Sequence, residues 1–318
     1  MKQKIYNTIY GAIIGDALGV PVEFRSREEL IKNPVKGMIG YGTFNLPKGC
    51  WSDDSSMTLC IVDSIARKRD IVYDDIMKCF WNWYNHSKYT PTHRTFDVGS
   101  TCYRALCNYK RKIPSLECGI KSEDSNGNGS LMRISPMPLY LFQKYGPVAM
   151  DNEESFHLIH NVSKLTHAHE ISLIGCDLYT SFMIEILNGR KKEDLQFHAF
   201  IKVANFVQNS SEYQYAMNKY NRLFNLNFKE LPENEIRSTG FVVDTLEAAI
   251  WCFLTTNNYS DCVLKAVNLG HDTDTIACVA GSIAGLYYGE IPEEWIKTIK
   301  KKKLIDRIIN DFSESILE

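Results

Sequence analysis

Residues 270–285 read GHDTDTIACVAGSIAG, a polar opening followed by a run of small apolar residues. The pattern predicts a helix that begins among the Asp and Thr residues. Gly281 and Gly285 are four residues apart, so they share one helix face and let another backbone approach it closely. A helix cap needs one Asp or Thr, whereas this stretch carries two of each. Its polar residues therefore exceed what capping requires.

Helical periodicity extends along the rest of the chain. Apolar residues three and four apart share one face over residues 5–13, 173–186 and 242–253, and no run of alternating strands competes with them. The same pattern predicts further helices at about residues 53–68, 73–86, 97–110, 154–165, 194–208, 260–269, 275–288 and 303–316. We therefore expect an all-α protein with long connecting loops.

The chain is predicted to form a single domain over residues 1–318. No Pro/Ser-rich linker, low-complexity tract or block of like charges separates its apolar segments. Residues 209–235 are polar and poorly patterned, and we expect them to form a variable excursion around the helical core.

The composition excludes several classes of protein. Lys and Arg number 36 against 38 Asp and Glu, a net charge of −2 that provides no overall basic field for nucleic acid. No stretch stays apolar for the roughly 20 residues of a membrane-spanning helix. Ten cysteines occur without a Cys-x-x-Cys pair, so we expect buried thiols in a reducing cytoplasm. The near-neutral charge and the lack of heptads favour a monomer.

A second polar cluster, Trp51–Ser56, precedes the apolar positions of the helix predicted at 53–68. Ser52 can cap that helix. Carboxylates in the first turn, here Asp53 and Asp54, are favoured by the helix dipole by roughly 0.3–1 kcal/mol. Taken alone, this cluster needs only the structural explanation.

Together the two clusters predict a metal centre. Each offers two carboxylates and an adjacent hydroxyl at the start of an apolar helix: Ser52, Asp53 and Asp54 in one, Asp272, Asp274 and Thr275 in the other. Four facing carboxylates without cations would repel one another and be driven to protonate. Oxygen ligands suit Mg²⁺ or Mn²⁺. Zinc is disfavoured because no His and Cys residues have tetrahedral-site spacing, His167 and His169 being two residues apart.

Two single carboxylates are candidates for proton transfer. Glu23 follows Val20-Pro21-Val22, which ends the first helix, and precedes Phe24. Such an apolar setting raises a carboxyl pKa and suits the group to acid–base chemistry. Asp97 is either the N-cap of the helix predicted at 97–110 or an active-site carboxylate.

The stretch Gly127–Arg133 carries alternating glycines. It lacks the Lys-Ser/Thr ending of a nucleotide-hydrolase P-loop, and no predicted strand precedes it. Alternating glycines can expose successive backbone N–H groups that cradle a phosphate, while the other interpretation is a flexible surface connection. Arg133 can serve as a counter-charge or as the anchor of an internal salt bridge.

In chain order these motifs resemble the ADP-ribosylglycohydrolase family. The resemblance spans nearly the whole chain and rests on Gly15–Gly19 with Glu23, Trp51–Asp54, Asp97–Gly99, Gly127–Arg133, Thr166–His167 and Gly270–Thr275. It implies a compact orthogonal helical bundle of that family's type, which holds two Mg²⁺ or Mn²⁺ ions. The implied reaction is hydrolysis of the bond between ADP-ribose and a modified protein side chain.

The resemblance also implies roles for individual residues. The metal ligands would be Ser52, Asp53, Asp54, Asp272, Asp274 and Thr275. The substrate would be bound by Gly127, Asn128, Gly129, Ser130, Met132, Arg133 and His167. The pyrophosphate would lie on the backbone of Gly127–Ser130, which we call the glycine loop. The catalytic groups would be Glu23 and Asp97.

The linkage and the class of activity have alternatives. An Asp at the position of Asp97 is similar to family members that act on ADP-ribosyl-arginine, where a carboxylate can pair with the guanidinium leaving group. Members that cleave O-linked ADP-ribose, as on serine, share most of these motifs. The remaining alternatives are another two-metal hydrolase of a phosphate or nucleotide-sugar substrate and a catalytically silent ADP-ribose-binding protein. We expect an ADP-ribosylated protein as substrate and ADP-ribose as product.

Overall fold

The computed structural model describes residues 1–317, and no strand forms among these residues. Loops and short 3₁₀ turns connect its helices, which confirms the all-α prediction. The α-helices are α1 (Lys2–Gly19), α2 (Arg27–Lys32), α3 (Asp53–Lys68), α4 (Tyr73–His86), α5 (Ser100–Lys110), α6 (Pro136–Tyr145), α7 (Glu153–Lys164), α8 (Glu170–Leu187), α9 (Leu195–Val207), α10 (Ser211–Asn218), α11 (Val242–Leu254), α12 (Tyr259–Asn268), α13 (Thr273–Tyr288), α14 (Glu293–Thr298) and α15 (Lys302–Leu317).

An antiparallel pair of helices, α1 and α13, is buried along most of its length. The glycines of α1 face α13: a Cβ on Gly11 would lie 2.3 Å from the carbonyl oxygen of Gly281, and one on Gly15 would lie 1.9 Å from that of Ala277. Only glycine lets the two backbones approach this closely. The close helix contact that the sequence predicts at Gly281 and Gly285 is confirmed.

Around this pair the other helices build one apolar core. Helices α11 and α12 pack on α13, and α3 packs on α4 and α15 while also contacting α1 and α13. Helix α8 is buried along almost its whole length and contacts α7, α9 and α11. This packing brings the N-terminal ends of α3 and α13 to the same region.

The helix bounds agree with most of the predictions. Helices α3 and α4 span the predicted residues 53–68 and 73–86. Helix α5 instead begins at Ser100 with Gly99 at its N-cap. The interpretation of Asp97 as the N-cap is therefore wrong, because Asp97 lies in the preceding loop at a φ of 55°.

Four helices are absent from the predictions: α2, α6, α10 and α14. Helices α2, α10 and α14 span only 6, 8 and 6 residues, so an apolar period of 3.6 repeats too few times to be recognised. Helix α6 spans ten residues but carries Pro136 and Pro138, which obscure a helical pattern.

The polar segment 209–235 forms α10 and three 3₁₀ turns. It also contributes to the core, since Tyr220, Leu223 and Phe228 are fully buried. The Tyr220 hydroxyl donates a hydrogen bond to the carbonyl oxygen of Ile171 in α8 at 2.7 Å. The segment is therefore anchored to the helical core by a few apolar residues among many polar ones.

All ten cysteines are free, and nine of them are buried, which agrees with their interpretation as small hydrophobic side chains. No helix among the described residues is long and apolar enough to span a membrane.

Candidate active site

The N-terminus of α3 is held in place by a carboxylate from α1. Asp16 accepts hydrogen bonds from the backbone N–H of Ser52 at 2.9 Å and from the N–H and hydroxyl of Ser55 at 3.1 and 2.5 Å. Ser52 caps the helix by accepting the N–H of Asp54 at 3.3 Å. These contacts fix the first turn of α3, in which Asp53 and Asp54 are buried.

The N-terminus of α13 faces that of α3. The Thr273 hydroxyl donates to the carbonyl oxygen of Gly19 at 2.8 Å and so anchors α13 to the end of α1. The Thr275 hydroxyl donates to Asp54 Oδ1 at 3.3 Å, a contact between residues 221 positions apart. The two polar clusters that are predicted to form one metal centre therefore meet in the structure.

Two groups of carboxylates have oxygens within 4.8 Å of one another. One group is Asp16, Asp54 and Asp274, and the other is Glu23, Asp272 and Asp274. The Oδ2 atoms of Asp54 and Asp274 and the Oε2 atom of Glu23 are buried and have no hydrogen-bond partner among the described residues. Buried carboxylate oxygens without donors are suitable ligands for a hard divalent cation. The donor set therefore fits Mg²⁺ or Mn²⁺.

The electrostatics of the cluster favour added positive charge. Burial raises the pKa of Asp54 and of Asp274 well above the usual range for a carboxyl group, and the neighbouring carboxylates raise each pKa further. Asp53 has a raised pKa for the same two reasons. A cation among these groups would relieve both the desolvation and the repulsion.

Glu23 and Asp97 bring their carboxyl groups together at the edge of this cluster. Burial raises the pKa of Glu23 to about 10, and the charges of Asp97 and Asp272 add to the effect. Burial raises the pKa of Asp97 only to about 6. Each of the two carboxyl groups thus lies in a setting that favours its protonated form.

A cavity of about 320 Å³ opens over the carboxylates. The predicted site residues that line it are Glu23, Asp53, Asp54, Asp97, Gly127, Asn128, Gly129, Met132, His167, Asp272 and Thr275. The other predicted site residues are buried and do not line the cavity. They are Ser52, Ser130, Arg133 and Asp274. The fold thus gathers residues from distant parts of the chain around one cavity.

The glycine loop is fixed to both the carboxylate cluster and His167. The backbone N–H of Asn128 donates to the carbonyl oxygen of Gly240 at 3.0 Å, and its side-chain amide donates to Asp272 Oδ2 at 2.7 Å. A Cβ on Gly129 would lie 2.8 Å from His167 Cε1. Glycine is therefore needed at position 129 for the imidazole to pack against the loop.

Arg133 supports this loop from inside the core. Its fully buried guanidinium donates to the carbonyl oxygen of Gly129 and, at 3.3 Å, to that of Val162, and it lies 4.9 Å from the ring centre of Phe80. It neither lines the cavity nor forms an ion pair with a described carboxylate. Both predicted roles for Arg133 thus differ from the structure, in which it holds loop backbone.

His167 is a neutral imidazole in the cavity wall. Burial lowers its pKa to about 3, and the nearby positive charge of Arg133 contributes to the shift. Its Nδ1 lies 2.8 Å from the Thr166 hydroxyl. This hydrogen bond fixes the ring beside the glycine loop.

Asp16, Phe24 and Gly240 belong to the site without having been predicted. Asp16 carries a sequence signal, because a lone carboxylate in an apolar, glycine-rich helix is costly to bury unless it is hydrogen-bonded. Phe24 and Gly240 line the cavity, yet no local pattern distinguishes them from ordinary loop residues.

The chain is similar to known proteins over nearly its whole length. The family model described as ADP-ribosylglycohydrolase matches residues 1–317. The chain is 30% identical over 309 residues to the ADP-ribosylarginine hydrolase Tri1 of Serratia proteamaculans (strain 568), covering 96% of this chain and 77% of that protein. It is 26% identical over 306 residues to the ADP-ribosyl-dinitrogen reductase glycohydrolase of Rhodospirillum rubrum, covering 95% and 92%.

A solved structure has the same fold. It is an ADP-ribosylglycohydrolase-related protein complex, similar with a TM-score of 0.79 and 26% identity over 99% of this chain and 98% of that chain. Nearly all of this chain thus aligns with nearly all of that chain.

Proposed function

The chain belongs to the ADP-ribosylglycohydrolase family, and from that premise we propose that it releases ADP-ribose from modified arginine side chains with two divalent cations. As a family member it is a hydrolase of glycosidic bonds to ADP-ribose. The arginine linkage and the cations are the new elements of the proposal. The observation that carries it is the meeting of the α3 and α13 N-termini beside the cavity.

The residues proposed to hold Mg²⁺ or Mn²⁺ are Ser52, Asp53, Asp54, Asp272, Asp274 and Thr275. The strongest support is that Asp54 and Asp274 each keep a buried carboxylate oxygen without a partner among the described residues. When bound, such ions would orient ribose hydroxyls and lower the pKa of a water. Asp16 would keep the α3 ligands in position through its bonds to Ser52 and Ser55.

The glycine loop, Gly127–Ser130, is proposed to bind the pyrophosphate. Asn128 links this loop to Asp272, so a bound pyrophosphate would be positioned relative to the carboxylate cluster. His167 and Met132 would contact the substrate, because both line the cavity next to the loop. Arg133 would act indirectly by holding the carbonyl oxygen of Gly129.

The Glu23–Asp97 pair suits the chemistry of the leaving group. Cleavage at the anomeric carbon develops positive charge on the ribose, and the departing nitrogen must gain a proton. The raised pKa of Glu23 suits it to deliver this proton. Asp97 offers a carboxylate to the guanidinium of arginine. The similarity to a protein named ADP-ribosylarginine hydrolase supports the same linkage.

We infer that residues 1–318 act as a single catalytic domain. The cavity is lined by residues as far apart in the chain as Glu23 and Thr275. A division anywhere between them would separate residues of the same site.

The test is release of free ADP-ribose from two peptides of matched sequence, one carrying ADP-ribosyl-arginine and the other ADP-ribosyl-serine. Each is assayed with Mg²⁺, with Mn²⁺ and with excess chelator. We expect release from the arginine peptide that the chelator abolishes.

Other outcomes would contradict separate parts of the proposal. Release from the serine peptide alone would replace the arginine linkage with an O-linked one. Release that survives the chelator would contradict the metal role. Inorganic phosphate or a nucleoside monophosphate as product would indicate a different hydrolase, and ADP-ribose binding without release from either peptide would indicate a silent binding protein.

A further inference from the structure

Three aromatic rings, each close to the next, extend outward from the lining of the cavity. Phe24 lines the cavity and is 68% exposed. Its ring centre is 6.3 Å from that of Phe44, which in turn is 4.9 Å from that of Phe96. We call Phe24, Phe44 and Phe96 the aromatic row.

The backbone holds Phe24 in this exposed position. Its φ is 67°, in the left-handed region that bulky side chains rarely adopt. Its N–H donates to the carbonyl oxygen of His271 at 2.7 Å, and the Thr43 hydroxyl donates to the carbonyl oxygen of Glu23 at 2.7 Å. A large apolar side chain kept in water by a strained backbone calls for a role other than packing in the core.

The row accompanies the two candidate catalytic carboxyls. Phe24 directly follows Glu23, Phe96 directly precedes Asp97, and Phe44 bridges the two rings. Phe24 therefore presents an aromatic ring to the cavity beside the carboxyl pair. A planar, delocalised cation matches this combination, because it can stack on a ring while it pairs with a carboxylate.

We propose that Phe24, supported by Phe44 and Phe96, stacks against the guanidinium of the modified arginine and selects this linkage over serine. The inference rests on the proposed function, because it deepens the specificity of the same site. A serine linkage carries no planar cation, so it gains nothing comparable from the ring. Phe24 is a substrate-contacting specificity residue in this proposal and takes no part in the proton transfer.

Exposure by itself does not single out Phe24. Ile31 and Tyr41 are 67% and 63% exposed, but neither lines the cavity. Ile31 and Tyr41 are therefore nearly as exposed as Phe24 but would not contact a substrate in the cavity. Ile31 is the better control position, since its removal disturbs no ring in the row.

The experiment compares Phe24→Leu, Phe24→Tyr and Ile31→Ala with the unaltered protein on the two matched peptides. KM and kcat are measured separately for each variant on each peptide. Where a variant does not turn a peptide over, the Kd from calorimetry replaces KM. We expect Phe24→Leu to raise the KM or Kd of the arginine peptide about fivefold, the scale of one cation–π contact at an exposed site. Phe24→Tyr should stay within about twofold, because it keeps the ring, and Ile31→Ala should change nothing.

Binding of free ADP-ribose distinguishes the proposed contact from damage to the nucleotide site. Phe24→Leu should bind ADP-ribose as the unaltered protein does, since the proposed contact is with the leaving group. Equal weakening of the arginine and serine peptides, an unchanged arginine peptide, or loss of ADP-ribose affinity would each overturn the stacking role. Turnover of the arginine peptide by the unaltered protein tests the proposed function independently, so the two failures remain distinguishable.

Discussion

At the scale of single residues, Asp97 is a candidate catalytic group that lies outside the proposed metal ligands. It lies in a loop at a positive φ and lines the cavity, and its carboxyl group interacts with that of Glu23. Asp97 is not among the residues proposed to hold the cations, so its effect on turnover and the binding of metal can be measured separately.

Asp97→Asn tests this separation. The substitution keeps the size of the side chain and removes its charge, so we expect turnover of the arginine peptide to fall by about 100-fold, a typical loss for a proton-transfer or charge-pairing group. The stabilisation of the protein by Mn²⁺ in thermal unfolding should remain. An unchanged rate would assign Asp97 to loop structure alone.

His167 leads to a prediction about pH and stability. Its pKa in the folded protein is about 3, below the ordinary value of 6.5. As the pH falls below 6.5 the unfolded chain therefore gains the proton first, and folding stability is lost progressively towards pH 3. Above pH 6.5 the imidazole is neutral in both the folded and the unfolded chain, so this loss of folding stability does not occur.

His167→Gln should flatten this dependence. Between pH 7 and 5.5 the histidine accounts for a loss of about 1 kcal/mol in the free energy of unfolding. Denaturant titrations of both proteins at the two pH values measure the difference, in which the other titrating groups cancel. Parallel pH profiles would show that the imidazole is not buried as a neutral group.

At the scale of secondary-structure elements, the contact between α1 and α13 determines the geometry of the site. Gly15 faces the carbonyl oxygen of Ala277, and Gly19 faces the backbone of Asp274. The helix that carries Asp16 is thereby packed directly against the helix that carries two proposed metal ligands. The glycines of α1 are thus a requirement of the site as well as of the core.

Gly15→Ala is expected to destabilise the protein strongly. The added Cβ would lie 1.9 Å from the Ala277 oxygen, so the helices must separate, at a cost of about 3 kcal/mol, the upper part of the usual range for overpacking. Denaturant unfolding measures this loss. Gly37→Ala is the matched control, since its Cβ would meet only Trp295 Nε1 at 3.8 Å; an equal loss in both variants would contradict the packing explanation.

At the scale of the whole molecule, the proposed metal binding would be linked to folding. The two carboxylate groups share Asp274 and draw on α1, α3, α13 and the Glu23 segment. A cation bound there would therefore connect parts of the chain that only the native fold brings together. It should stabilise the whole protein, because the unfolded chain has no such site.

The prediction concerns Mn²⁺ and Asp274→Asn. At a Mn²⁺ concentration of 100 times Kd, the free energy of unfolding should rise by about 2.7 kcal/mol for each bound cation in the unaltered protein, and by much less in the variant. Without metal at pH 8 the variant should be at least as stable as the unaltered protein, because it lacks a buried, repelled carboxylate.

Thermal unfolding with and without Mn²⁺ measures both effects. Asp311→Asn, a change on the exposed side of α15, is the control and should respond to Mn²⁺ as the unaltered protein does. Full Mn²⁺ stabilisation of Asp274→Asn would place the cation elsewhere.

The sequence by itself determined the helical class, most of the long helices and most of the residues that line the cavity. Helix bounds such as 53–68 follow from local rules, because caps and apolar spacing act within a few residues. The paired clusters at Asp53 and Asp274 were recognisable for a related reason. Each placed more carboxylates at a helix start than local structure needs.

Only the tertiary structure decided how these parts are arranged. Four features involve contacts between segments far apart in the chain. They are the support of α3 by Asp16, the inward placement of Arg133, the position of Asp97 beside Glu23 and the backbone contact that holds Phe24. Such contacts arise from the packing of helices against one another. Local spacing carries no information about which distant backbone a side chain will meet, and that is why these four features appear only in the folded protein.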